Sequence, residues 1–141
     1  MNFQDFVSQG TIRKTPKDSI RAESLFVASS RTLASTLRIP PDENSYQQII
    51  RELYESMRQL CEAIGYLHGY KFSSHEPISN FIDEILHEPL IATKFDRYRR
   101  LRNGINYYGD EVSPETVKNA LIEIPKIINA LKKHERNGGL L

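Results

Sequence analysis

The sequence predicts an all-α fold: an antiparallel, up-and-down bundle of four to five helices with a short N-terminal helix. Three observations carry this. Apolar residues recur at spacings of three and four, proline and glycine punctuate those runs, and strand signals are weak throughout. The 141 residues fit one domain, with residues 1–15 as a peripheral N-terminal segment laid across the bundle.

Residues 2–9 read as a short amphipathic helix with Phe3, Phe6 and Val7 on one side and Gly10 as its C-cap. A long helix follows from about Lys17 to Arg38, with Ala22, Leu25, Phe26, Leu33 and Leu37 at helical spacing, and Pro40–Pro41 ends it. The next, from about Glu43 to His68, is the clearest. Its seam of Ile49, Leu53, Met57, Leu60, Ile64 and Leu67 steps by 4, 4, 3, 4 and 3, and Gly69 stops it. A shorter helix spans about His75 to His87, with Pro77 in its first turn and Pro89 marking its end. The fourth long pattern covers Leu90 to Tyr108, placing Ile91, Phe95, Tyr98, Leu101, Ile105 and Tyr108 inward, and Gly109 stops it. The last helix opens on Ser113-Pro114-Glu115, which supplies an N-cap, a proline at N1 and an acidic first turn. Val117, Leu121, Ile124, Ile128 and Leu131 form its stripe. Pro125 should kink it, and Asn137-Gly138-Gly139 should end it. Short connections between such helices predict antiparallel neighbours.

Composition excludes several classes. A net charge of +1 announces no nucleic-acid binder in bulk, so any such role must rest on a local patch. No apolar run is long enough for a membrane span, and the first residues lack a signal-peptide pattern, so the expectation is a cytoplasmic protein with no membrane association. Cys61 is the only cysteine and falls in an apolar helical stripe, where it reads as a small core side chain. His68, His75, His87 and His134 show no metal-ligand spacing, so no metal site is expected, and no motif calls for a cofactor. Hydrolase and dehydrogenase templates fail.

The informative stretch is KFDRYRRLRNGINYYG, residues 94–109. Lys94, Arg97, Arg99, Arg100 and Arg102 are opposed locally only by Asp96, which can pair with Arg99 or Arg100. Such a run can be a solvated helix face. Arginine predominates, however, and its planar fork suits bidentate contact with phosphate or carboxylate. Arg99, Arg102 and Asn106 share one side of the helix, whereas Arg102 and Tyr107 lie about 140° apart. A joint site therefore needs a second surface, for which a partner subunit is the expectation. Tyr107 falls off the apolar stripe and is free to stack on a base. His75, in GYKFSSHEP, either caps the turn or contributes to a polar groove.

The order of these segments, with LYESMRQLCEAIGYLHGYKFSSHEPISNFI followed by a helix ending in RNGINYYG and a final amphipathic helix, resembles the HEPN superfamily (higher eukaryotes and prokaryotes nucleotide-binding domains) over nearly the whole chain. The lead-in FVSQGTIRKTPKDSIRAES is similar to that of stand-alone prokaryotic members. The resemblance implies an antiparallel four- or five-helix bundle, a homodimer, and, in catalytic members, metal-independent cleavage of RNA by an Arg-polar-x-x-x-His motif. Arg102 and Asn103 match its first two positions, and Tyr107 stands where the histidine would be. A tyrosine, with its pKa near 10, moves protons poorly at neutral pH, whereas arginine can still hold phosphate. Arg102 and Tyr107 are thus the catalytic candidates, but binding is the better expectation. The binding set is Arg99, Arg102, Asn103, Asn106, Tyr107 and His75. The resemblance also implies a nucleotidyltransferase partner in a toxin–antitoxin-like module. The alternatives are a weak ribonuclease and a purely structural partner of a nucleotidyltransferase.

Overall fold

In the computed structural model, which describes residues 1–137, the chain is mostly helical and is organised around one helix, α3, spanning Tyr46–Leu67. The six residues of its predicted seam are all no more than 2% exposed, and Ile50, Tyr54, Cys61 and Ala63 widen the apolar face beyond a single stripe. Each such buried aliphatic side chain contributes roughly 1.5–3 kcal/mol. α2 (Ser19–Thr36) starts at Asp18, whose carboxylate accepts from the Arg21 amide, and buries Ala22 and Phe26. It lies along α3 closely enough for two serines to bond across: Ser29 Oγ donates to the Ser56 carbonyl at 2.7 Å, and Ser56 Oγ donates to the Ser29 carbonyl at 2.9 Å. α4 (Ile78–Glu84) packs against α5 (Pro89–Tyr108), and both α5 and α6 (Pro114–Leu131) pack on α3. α7 (His134–Asn137) follows.

Two expectations about the N-terminal third are corrected. The fold contains a small antiparallel sheet, with β1 (Ile12–Lys14) paired to β2 (Tyr70–Phe72) in the register Ile12↔Phe72, Arg13↔Lys71, Lys14↔Tyr70. Three residues per strand are too few to show alternation in a sequence. The first residues are also not peripheral. α1 (Phe3–Ser8), capped reciprocally by Asn2 and Asp5, buries Phe3 and Phe6, and Phe3 meets Tyr70 edge-on at 5.0 Å. Ile12 is only 1% exposed. The reversal from α3 into β2 needs Gly69 at φ 81°. It also needs Gly65, because a Cβ there would stand 2.7 Å from the Phe72 ring and 3.2 Å from the Tyr70 carbonyl.

Helix limits otherwise fall within a few residues of expectation, with three differences. The third predicted helix is α4 alone, shorter at both ends, and His87 takes φ 58° in the turn that leads to Pro89. The last helix stops at Leu131, while α6 continues on both sides of Pro125. Of the expected Asn137-Gly138-Gly139 terminator, Gly138 and Gly139 lie outside the described residues. Finally, Tyr108 was expected in the core and is 83% exposed. It is the last residue of α5, immediately before Gly109 turns the chain at φ 65°, so its ring projects past the point where the core ends. Ile105, one turn earlier, is buried as expected. Among the described residues, no helix is long and apolar enough to cross a membrane.

Candidate functional site

The arginine run separates into two kinds of residue. Arg99 and Arg100 both hold Asp96, at 2.8 and 2.9 Å. Lys94 and Arg97 reach across to Glu123 on α6, at 3.2 and 2.5 Å, and the Tyr98 hydroxyl donates to the same carboxylate at 2.6 Å. Burial, and the hydrogen bond to Glu123, push the Tyr98 phenol up to about 12. These four cations share two carboxylates, Asp96 within α5 and Glu123 across on α6, the bland explanation of such a run. Arg102 differs: it has no carboxylate partner among the described residues.

What holds Arg102 is aromatic. Its guanidinium lies 4.8 Å from the centre of the Tyr54 ring, a cation–π contact. Its Nη2 donates to His75 Nδ1 at 2.5 Å. Its Nε–H and the Tyr54 hydroxyl are both buried without a hydrogen-bond partner in the protein. Tyr54 in turn packs against Phe95, ring centres 5.3 Å apart, so the platform under Arg102 belongs to the core. Burial raises the Tyr54 phenol to about 12, only partly offset by the close approach of the Arg102 guanidinium N–H groups and by its charge.

His75 stands between β2 and α4. The sheet register fixes one side, with the Ser73 amide and hydroxyl both donating to the Thr11 carbonyl. The other side is fixed by α4, which buries Ile78, Phe81 and Ile82. Burial lowers the His75 pKa to about 4, and the neighbouring charges of Arg102, Arg58 and Arg99 act in the same direction against Glu55. The ring is therefore neutral at pH 7. With Nδ1 accepting from Arg102, its proton sits on Nε2.

Two hollows meet at this pair. One, of about 340 Å³, is lined by Ser74, His75, Glu76, Arg99, Arg102, Asn103 and Tyr107. It gathers five of the six residues expected to bind. Arg102 and Tyr107 do sit on different sides of α5, as their spacing requires. The same chain's 74–76 turn supplies a second surface that joins them in one hollow. Tyr107 is 71% exposed at its rim. Asn106, the sixth residue, lines the other hollow, of about 310 Å³, with Arg51, Glu52, Tyr54, Glu55, Arg58, His75 and Arg102.

The α3 residues of that second hollow were missed by sequence reasoning. The signal was present: Arg51, Tyr54, Glu55 and Arg58 recur at helical spacing beside the apolar seam. Arg58 is occupied by Glu55 and Glu62, whereas Arg51 makes no ion pair among the described residues. Cys61 is buried, its thiol pushed well above the usual range, which fits a core side chain. No grouping of metal-ligating side chains occurs among the described residues. The chain matches no family model, no curated protein and no solved structure.

Proposed function

We propose that this chain is a nucleotide- or RNA-binding protein of the HEPN type with a degenerate Arg-Asn-x-x-x-Tyr motif. One observation carries the binding reading. Arg102 is a guanidinium without a carboxylate, held in place by the Tyr54 ring and a neutral His75, at the floor of a hollow edged by Asn103 and an exposed tyrosine. A pre-positioned arginine of this kind can fork to phosphate, and the rim tyrosine can stack on a base. The homodimer and the nucleotidyltransferase partner rest on the resemblance of RNGINYYG and its flanking helices, and they belong to the same proposal.

The ribonuclease alternative is less well supported. Its natural proton carrier in this hollow would be His75, whose Nδ1 lone pair is taken by Arg102 and whose ring is neutral at pH 7. Binding of a fluorescent single-stranded RNA to purified protein, wild type and Arg102→Ala, tests the proposal. Loss of one charge-assisted fork should weaken binding roughly tenfold or more, with helical circular dichroism unchanged. Absence of binding by the wild type, or equal binding by both, overturns it.

A further inference from the structure

Arg102 is shared by the two hollows, and so is His75. The two cavities therefore share the Arg102–His75 pair as a common wall. The hollow on the α5 side carries the exposed Tyr107, a plane for a base. The one on the α3 side has no exposed aromatic. Tyr54 is 2% exposed and its face is covered by Arg102. What the α3 side offers is Arg51, which is free of ion pairs among the described residues, together with the Asn106 amide and the far side of Arg102.

We propose that the α3-side hollow is a second phosphate subsite, so that the ligand is a single-stranded polynucleotide running across Arg102 rather than a mononucleotide. This inference rests on the binding reading above and extends it. Arg51 and Arg102 supply two guanidinium forks, one from each helix, to oxygens of a backbone phosphate. The carboxylates of Glu52 and Glu55 line the same hollow. Glu55 is held by Arg58, and the three arginines of the lining outnumber its two carboxylates, so the hollow keeps a net attraction for a phosphate. Its volume of about 310 Å³ has room for a sugar-phosphate unit. The exposed Tyr107 and Tyr108, adjacent at the end of α5, favour unpaired bases that can stack.

The test compares 5′-adenosine monophosphate with the di- and tetranucleotide of adenylate, measured by calorimetry against wild type, Arg51→Ala and, as a charge control, Lys118→Ala on the exposed face of α6. Expected is a gain of roughly tenfold in affinity from mono- to tetranucleotide, with a steeper salt dependence for the longer ligand. Arg51→Ala should remove most of that gain, and Lys118→Ala should keep it. If all lengths bind wild type equally, or Arg51→Ala retains the gain, the subsite is overturned while the Arg102 site stands. A loss in Lys118→Ala equal to that in Arg51→Ala also overturns it, because the gain is then bulk electrostatics. If nothing binds wild type at any length, the binding reading itself fails and takes the subsite with it.

Discussion

Acid should loosen this protein at one identifiable place. In the native state His75 accepts a hydrogen bond from Arg102 and has Arg58 and Arg99 nearby, with only Glu55 to favour a charged ring. Protonation turns its acceptor into a donor facing a guanidinium. The native pKa is about 4, against about 6.5 for a free imidazole. Between those values the unfolded chain binds a proton that the native chain refuses. Stability from this group is therefore complete above about pH 6.5 and falls as the pH drops towards 4. At about 1.4 kcal/mol per pH unit the upper bound is about 3 kcal/mol. The ring is only half-buried, so screening by solvent reduces this to on the order of 1 kcal/mol. Urea unfolding at pH 7 and pH 4.5 measures it, as the difference between wild type and His75→Asn. The asparagine keeps an acceptor for Arg102 and cannot titrate. Taking the difference also cancels His68, lowered by burial, Glu88, lowered by a hydrogen bond from Lys133, and Glu123, where burial is outweighed by hydrogen bonds from Tyr98 and Lys94 and by nearby cations. The wild-type advantage should shrink by about 1 kcal/mol in acid. An NMR titration placing the His75 ring near 6.5, or a difference that does not change with pH, refutes the assignment of Nδ1 as a buried acceptor.

Gly65→Ala should lower the thermal midpoint by several degrees, because overpacking against Phe72 and the Tyr70 carbonyl, at about 1–3 kcal/mol, exceeds the roughly 1 kcal/mol an alanine gains within a helix. An unchanged or raised midpoint would mean that β2 can move away from α3. In the serine pair between α2 and α3, Ser29→Ala and Ser56→Ala should each cost about 1–2 kcal/mol. Each hydroxyl donates to the other residue's backbone carbonyl, which alanine keeps, so a double-mutant cycle should show nearly additive losses, and strong coupling would mean that the contact between the two hydroxyls, at 3.3 Å, dominates instead. Arg102→Met should abolish nucleotide binding yet leave unfolding free energy within about 1 kcal/mol of wild type, or raise it. A loss of several kcal/mol in urea would make Arg102 a structural residue instead.

The parts of this fold that were legible in the sequence are those with a long, regular local signal. The α3 seam is buried over its whole length, and Ser113-Pro114 opens α6 with the Ser113 side chain accepting from the Thr116 amide. Gly109 closes α5 at the expected residue. Where the signal is short or long-range, it failed. The β1–β2 pairing joins residues about sixty positions apart through three-residue strands, and the contacts that fix its register, such as Phe72 on Gly65 and Ser73 on the Thr11 carbonyl, are all tertiary. Likewise, the partner of Lys94 and Arg97 is Glu123 on another helix, which periodicity within α5 cannot reveal. Tyr108 failed for another reason. Its position on the stripe is correct, but helical phase says nothing about where along the axis the core stops. The site itself was half legible: α5 and His75 could be named, and the Tyr54 platform beneath them could not.

That hidden platform decides how the arginine run should be understood. Five cations in nine residues look alike by composition, and a carboxylate partner is the ordinary way to keep each on a folded surface. Four of them have one. Arg102 instead stands partly buried over a tyrosine ring, its Nε–H unpaired, against a histidine whose burial keeps it uncharged. Such an arrangement is poor for stability, since a desolvated guanidinium without a counter-charge is costly and the nearest imidazole must also forgo its proton. It is well suited to receiving an anion, because the guanidinium is already oriented and no carboxylate pairs with it among the described residues. Stability and binding therefore pull in opposite directions at this one side chain. That opposition separates a binding arginine from Lys94, Arg97 and Arg100, whose removal should weaken the α5 surface without touching ligand affinity at Arg102, whereas Arg99, though paired with Asp96, also lines the Arg102 hollow.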